Sequence, residues 1–203
     1  MKRLLGLSLL FSLLVSFNNN APKILLFIKE GSTQLEYMLT NEVGKMSEII
    51  KQSGFEVTIA TISGEVLKSG SVTVKPDLKL SEVNIDEYSG VIIPCMTLDL
   101  ATPEMIAFVK TAIDKGKPIA AQAGSVTLLA NAGILNGKKY AYNHDASTET
   151  DFESGIYSGT GVVQDGIIIT SGTCPWIAKE TGWQDGTPKL TQTLIETIKA
   201  KTK

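Results

Sequence analysis

The sequence predicts an α/β fold: a flavodoxin-like doubly wound parallel sheet sandwiched by helices, with a small β-hairpin. Three observations carry that prediction. Compact apolar runs rich in β-branched residues alternate with segments whose apolar residues recur at helical spacing. The connections between successive strands are long enough to hold a helix, which parallel pairing demands. No internal repeat or low-complexity linker interrupts the alternation.

The first strand is Lys23 to Ile28 and the second Glu56 to Ala60. Between them Leu35, Leu39, Val43, Met46, Ile49 and Ile50 form one apolar helical face, and Gly54 stops the helix. This is one βαβ unit. Val72 to Pro76 reads as an exposed excursion, and Gly90 to Pro94 as a third, buried strand. A helix follows, with Thr102 as N-cap, Pro103 at its first position, and Met105, Ile106, Val109, Ala112 and Ile113 facing inward. The fourth strand, Ile119 to Gln122, runs into a sharp small-residue turn and the helix Val126 to Ala132, which Gly133 closes. Lys139 to Tyr142 is short and strand-like. Gly161 to Thr170 reads as a hairpin turning at Asp165-Gly166, and Leu190 to Ile198 as a closing amphipathic helix.

Composition narrows the function classes. With 203 residues, 43% hydrophobic and 20% charged, the chain suits one well-buried domain, placed at residues 22–203. Met1-Lys2-Arg3 followed by the apolar run Leu4 to Phe17 has the form of a secretory signal, so residues 1–21 read as a signal peptide or N-terminal anchor and the protein as exported. The run falls short of the roughly 20 apolar residues of a spanning helix, so membrane association is expected only if the leader stays uncleaved. Without Lys2 and Arg3 the 19 basic residues fall to 17 against 21 acidic ones, which argues against a nucleic-acid partner. Arg3 is the only arginine, so no guanidinium in the folded part grips a phosphate or carboxylate bidentately. His144 is the only histidine, which excludes a multi-histidine metal site, and no metal or cofactor is expected.

Doubly wound sheets bind ligands beyond the strand C-termini. The loops after Ile28 and Ile93 and the turn at Ala123 therefore converge there, flanked by the loop after Ile169 that carries Thr173. The turn Gln122-Ala123-Gly124-Ser125 has the shape of a nucleophile elbow, but its apex is a methyl group.

Lys117-Pro118-Ile119-Ala120-Ala121, Leu128-Leu129-Ala130 and Ala132 to Lys138, with Val91-Ile92-Ile93-Pro94 and Ile168-Ile169-Thr170-Ser171, resemble the signature strands, elbow and helix of the PfpI-like superfamily. This glutamine-amidotransferase-like group includes the Parkinson-disease-associated deglycase and chaperone. The resemblance implies a nucleophilic cysteine and a histidine at the positions of Ala123 and Gly124, and an arginine at that of Gly172. All three are missing. Where the family has Pro-Gly-Gly beside its oxyanion pocket, this chain has Pro94-Cys95-Met96, and Met96 is expected to crowd the pocket. Leu35-Glu36-Tyr37 matches the segment whose glutamate hydrogen-bonds the family's thiol. The resemblance thus directs Glu36 into the pocket; the residues alone favour a solvated first-turn carboxylate.

Glu36, Cys95, Met96, Ala123, Gly124, Ser125, His144 and Thr173 are the expected ligand-facing residues. Ser125 reads as a helix cap more readily than as a nucleophile, and loop histidines such as His144 are commonly solvated. Cys95 and Cys174 both lie just past core strands. The fourth strand separates theirs, so with ~4.8 Å between strands the chains stand about 10 Å apart and two free thiols are favoured. A disulfide and a displaced reactive thiol remain open alternatives. Trp176, Trp183, Tyr37 and Tyr157 suit a pocket or an interface, with core packing the default; Asp99, Glu104, Glu149, Asp151 and Glu153 show no metal-loop spacing and read as surface.

The expected function is therefore an exported, catalytically degenerate module that binds an unidentified small molecule or protein. The alternatives are a hydrolase or lyase using Glu36 with water, Ser125 or Cys95, and a dimeric interaction or assembly protein, with a homodimer as the partner.

Overall fold

The computed structural model describes residues 21–31, 34–95 and 101–201. The leader read at the N-terminus, Met96 and Asp99 lie outside the described residues.

Eleven strands are described. Seven form one sheet in the order β10-β11-β7-β6-β1-β2-β5. Its middle is β1 (Lys23–Ile28), β6 (Tyr88–Ile93) and β7 (Ile119–Gln122), joined in parallel and flanked by β2 (Glu56–Thr61) and β11 (Ile168–Ser171), also parallel. These central strands are covered on both faces, which is why they read as unbroken apolar runs instead of alternating ones. The short β5 (Leu78–Lys79) extends one edge in parallel. On the other edge β10 (Val162–Asp165) turns back antiparallel onto β11 at Asp165-Gly166, where Gly166 takes φ 63°.

The first crossover is helical from Leu35 to Gln52 but not uniformly so. α1 (Leu35–Met38) passes into a π-helical turn, Leu39–Val43, before α2 (Gly44–Gln52). The Gly44 N–H reaches back five residues to the Leu39 carbonyl. Thr40 Oγ1 and Asn41 Nδ2 donate to the carbonyls of Glu36 and Tyr37 at 2.9 Å each, competing with the ordinary backbone ladder. α3 (Pro103–Asp114) begins where the sequence predicts, with the Thr102 hydroxyl accepting from the Met105 N–H at 3.3 Å. α4 (Val126–Asn131) follows β7, and α6 (Thr187–Lys201) buries Leu190, Leu194, Ile195 and Ile198. Gly90 lets α6 approach the sheet: a Cβ there would lie 2.7 Å from Ile198 Cδ1.

Three features differ from the sequence reading. The expected excursion at Val72 to Pro76 is half of a hairpin, β3 (Leu67–Ser69) against β4 (Val72–Val74). Lys139 to Tyr142 is strand only at β8 (Lys139–Tyr140), paired in parallel with β9 (Ile156–Tyr157) away from the main sheet. An unanticipated helix, α5 (Pro175–Thr181), starts directly after Cys174.

Candidate functional site

The C-terminal ends of β6, β7 and β11 meet at the elbow. Ala123 is fully buried at φ 47°, and Gln34 is the only other non-glycine residue with positive φ among the described residues. A left-handed alanine costs roughly 1–2 kcal/mol, so the surrounding structure holds the elbow shape even though its apex carries no functional group. Ser125, also fully buried, donates its hydroxyl to the Pro94 carbonyl. Its side chain makes no capping bond. Ser125 thus ties the elbow to the loop that carries Cys95, and its hydroxyl faces neither ligand nor solvent.

Gln122 fixes the opposite loop. Its Nε2 donates to the Thr173 carbonyl at 2.6 Å and to Thr187 Oγ1 at 2.9 Å, both buried. The Thr173 carbonyl also accepts from the Gly186 N–H at 3.1 Å, and Thr173 Oγ1 donates to the Thr160 carbonyl at 3.3 Å. Thr173 is a positioning residue that hands the chain to Cys174.

Across the elbow methyl the two cysteines meet. Cys95, half-buried, packs with Met38, Ala123 and the fully buried Cys174. Both are free thiols, yet the reasoning from strand separation fails: the two side chains share one small cluster around the Ala123 methyl. β7 does run between their strands, but its apex is only a methyl group, and the flanking loops pack against it. The neighbouring Cys95 side chain brings the Cys174 thiol down to about 7, against the effect of burial and with help from the N–H groups of Ile177 and Trp176. The neighbouring Cys174, together with burial and the nearby Glu42, pushes the Cys95 thiol well up, while the Gly124 N–H works the other way.

Glu42 is the functional residue that sequence reasoning missed. It is fully buried, and its Oε1 accepts from the Cys95 N–H at 2.6 Å while its Oε2 has no partner among the described residues. Burial, and then the charge on Cys174, hold its carboxyl well above the usual range. Glu42 falls within the apolar stripe that Leu35, Leu39, Met46 and Ile49 form, and it is buried in the π-helical turn together with Leu39 and Val43. The signal in the sequence was a carboxylate in the middle of that stripe.

Glu36 is not the site carboxylate. Its Oε1 accepts from the Ser71 N–H and hydroxyl, both at 3.1 Å, and it borders an open cleft of about 660 Å³ with Gln34, Tyr37, Thr40 and Asn41. His144 is not at the elbow either. Exposed, it stacks on Tyr142 at 4.9 Å and bonds Asn143 Oδ1 and Glu149 Oε1 at 2.8 and 2.6 Å. Gly172 leaves no room for an arginine, because a Cβ there would sit 2.3 Å from the Tyr142 carbonyl oxygen. Tyr37 and Trp176 form an edge-to-face pair, centroids 5.5 Å apart, beside Cys174, with Lys179 Nζ 5.4 and 5.1 Å from the two ring centres. Trp183 is exposed. Among the described residues no His, Cys, Asp and Glu cluster is arranged to hold a metal ion.

Residues 22–178 match the model of the DJ-1/PfpI family. An uncharacterized protein of Archaeoglobus fulgidus is 28% identical over 130 residues, covering 60% of this chain and 75% of that one. Deglycase PfpI of Pyrococcus furiosus is 31% identical over 98 residues, 44% of this chain and 57% of the deglycase, so the match spans little more than half of that relative. Among solved structures, Drosophila melanogaster DJ-1beta superposes with TM-score 0.65 at 23% identity over 89% of this chain and 95% of that one. A DJ-1 superfamily protein of Agrobacterium tumefaciens gives 0.63 at 18%, over 90% and 100%. At these identities the structural likeness speaks for the fold.

Proposed function

The chain belongs to the DJ-1/PfpI family, and we propose that it keeps the family's pocket as a thiol site whose reactive sulphur has moved from the elbow to the Cys95–Cys174 pair. The carrying observation is the packing of those two thiols around the Ala123 methyl, where the Cys174 thiol is brought down to about 7. Two neighbouring thiols that titrate as a pair leave one of them ionised near neutral pH, and a thiolate is the form that attacks electrophiles. Cys174 holds the charge, while half-buried Cys95 is the sulphur that a small molecule meets first. This reading replaces the degenerate binding module as the principal one, and it assigns Cys95 rather than Ser125 or Glu36 as the group that touches substrate.

Alkylation tests it. The rate of iodoacetamide labelling should rise with an apparent pKa of about 7. In Cys174→Ala or Cys95→Ala the surviving thiol should titrate higher, towards 9.0. A wild-type profile already centred near 9.0, or one unchanged in both variants, would sink the proposal.

The same proposal places the protein outside the cytoplasm, supported by the charged start and apolar run of residues 1–17. Among the described residues no helix is long and apolar enough to cross a membrane. Cell fractionation with mass analysis of the N-terminus checks this, and a cytoplasmic species retaining Met1 counts against it.

A further inference from the structure

We propose that the Cys95–Cys174 pair is a two-electron redox couple that a hydroperoxide closes to an intramolecular disulfide, with Glu42 as the acid for the leaving oxygen. The inference rests on the thiol-site reading and adds its substrate class. Three observations converge on it. The two cysteines already pack in one cluster around the Ala123 methyl, so bond formation requires only a local approach of the two loops. Gln122 and Ser125 pin those loops through buried hydrogen bonds on either side of the elbow. Glu42 is fully buried beside Cys95 and keeps one carboxyl oxygen with no partner among the described residues.

The oxidant follows from the carboxyl. A disulfide or another good leaving group departs as a stabilised thiolate and needs no acid. An alkoxide or hydroxide is a far poorer leaving group, and a neutral carboxyl nearby supplies the proton it lacks. Burial shifts Glu42 towards that neutral form. The hydroperoxide is also small enough for a thiol that is only half-buried.

The steps balance. The Cys95 proton passes to the neighbouring Cys174 thiolate. The Cys95 sulphur then attacks the terminal peroxide oxygen; the S–O bond forms, the O–O bond breaks, and the departing alkoxide takes the Glu42 proton to leave as an alcohol. Cys174 returns its proton to the Glu42 carboxylate, and its sulphur attacks the Cys95 sulphur. The S–S bond forms, the S–O bond breaks, and the released hydroxide leaves as water with a proton from solvent. Two thiols have lost two electrons to one peroxide.

The experiment treats the reduced protein with equimolar hydrogen peroxide and follows intact mass and free thiols, with a small organic disulfide as the second oxidant. Peroxide should remove both thiols, lower the mass by two hydrogens, and do so reversibly with a dithiol reductant. Cys95→Ala and Cys174→Ala should form no internal disulfide. Glu42→Gln, which keeps an acceptor for the Cys95 N–H, should slow oxidation by peroxide on the order of 10²-fold while leaving oxidation by the organic disulfide nearly unchanged. Oxidation of Glu42→Gln by both reagents at the wild-type rate overturns the role of Glu42. Stable addition of oxygen to one thiol, with no disulfide, overturns the couple. If alkylation still titrates near 7 in that case, the thiol-site reading stands and only the inference fails; if it does not, both fail.

Discussion

The elbow and the two loops that flank it divide a single task. At the elbow the backbone is preserved: β7 ends in a buried left-handed residue followed by a short helical turn, and Ser125 braces it. Its side chain carries no chemistry. Among the described residues of the flanking loops no non-glycine residue has a positive φ, yet these loops supply both sulphurs. Shape and chemistry are thus separable in this pocket. A strained turn depends on the packing around it, whereas a thiol serves from any position that reaches the same small volume.

The comparison is open to breaking at several points. The largest effect should come from trying to restore a family side chain at Gly172. Even Gly172→Ala puts a carbon 2.3 Å from the Tyr142 carbonyl oxygen, and backbone cannot yield as a side-chain tip does. A loss of about 3 kcal/mol is expected, read from the urea midpoint; a change within experimental error would show that this loop is not fixed.

Next, Gln122→Ala removes both buried donors that hold the Thr173 carbonyl and Thr187, with an expected cost of about 2 kcal/mol. Because Thr173 leads into Cys174, the alkylation pKa should also rise from about 7. Stability loss without that rise would mean that the clamp does not position the thiol.

Ala123→Cys places a third sulphur at a fully buried apex packed against Cys174, and should cost about 1 kcal/mol or more through crowding. Family-type turnover of peptide or glyoxal-type substrates is not expected, since Gly124 supplies no histidine. Ala123→Gly should be close to neutral, because relief of the left-handed strain offsets the lost methyl. Efficient turnover by the first variant, or severe destabilisation in the second, contradicts a purely structural elbow.

The pH dependence sharpens the contrast within the site. The carboxyl of Glu42 has a folded pKa above its ordinary 4.5, so its contribution is complete below that value and declines as the pH rises towards the folded value. Glu42→Gln removes this decline, and its midpoint should gain on wild type as the pH increases from 4.5. Cys174 acts in the opposite sense: its pKa falls from 9.0 to about 7, so its contribution is present at high pH and is lost as the pH drops through about 7. Parallel stability curves for wild type and Glu42→Gln would argue against a buried neutral carboxyl. The smallest effect belongs to Glu36→Gln. Exposed, with its carboxylate bonded among the described residues to Ser71, it should change stability by less than about 0.5 kcal/mol and leave thiol titration untouched.

Residues whose role depends on their neighbours in sequence were legible before the fold. The apolar run Ile24 to Ile28 fixes a buried strand, Thr102-Pro103 fixes a helix start, and Asp165-Gly166 fixes a hairpin, because each is decided by local backbone and side-chain preferences. The elbow was legible for the same reason, and so was its missing nucleophile. Glu36 was chosen in place of Glu42 because Leu35-Glu36-Tyr37 resembles the family's glutamate segment, although helical periodicity already sets Glu42 among Leu35, Leu39, Met46 and Ile49; which carboxylate meets the elbow depends on how the helix packs over it.

By itself the sequence determined the parallel α/β layering, the strand ends that converge on a site, and the absence of elbow cysteine chemistry, since all three follow from pattern and residue identity. Only the tertiary structure decided that Cys95 and Cys174 pack in one cluster and that Glu42 lies buried beside them. Strand spacing sets where chains leave the sheet, but how far a loop leans is fixed by what fills the space between. Here that space holds a methyl group, and hydrogen bonds from Gln122 and Ser125, distant in sequence from their partners, hold the loops around it.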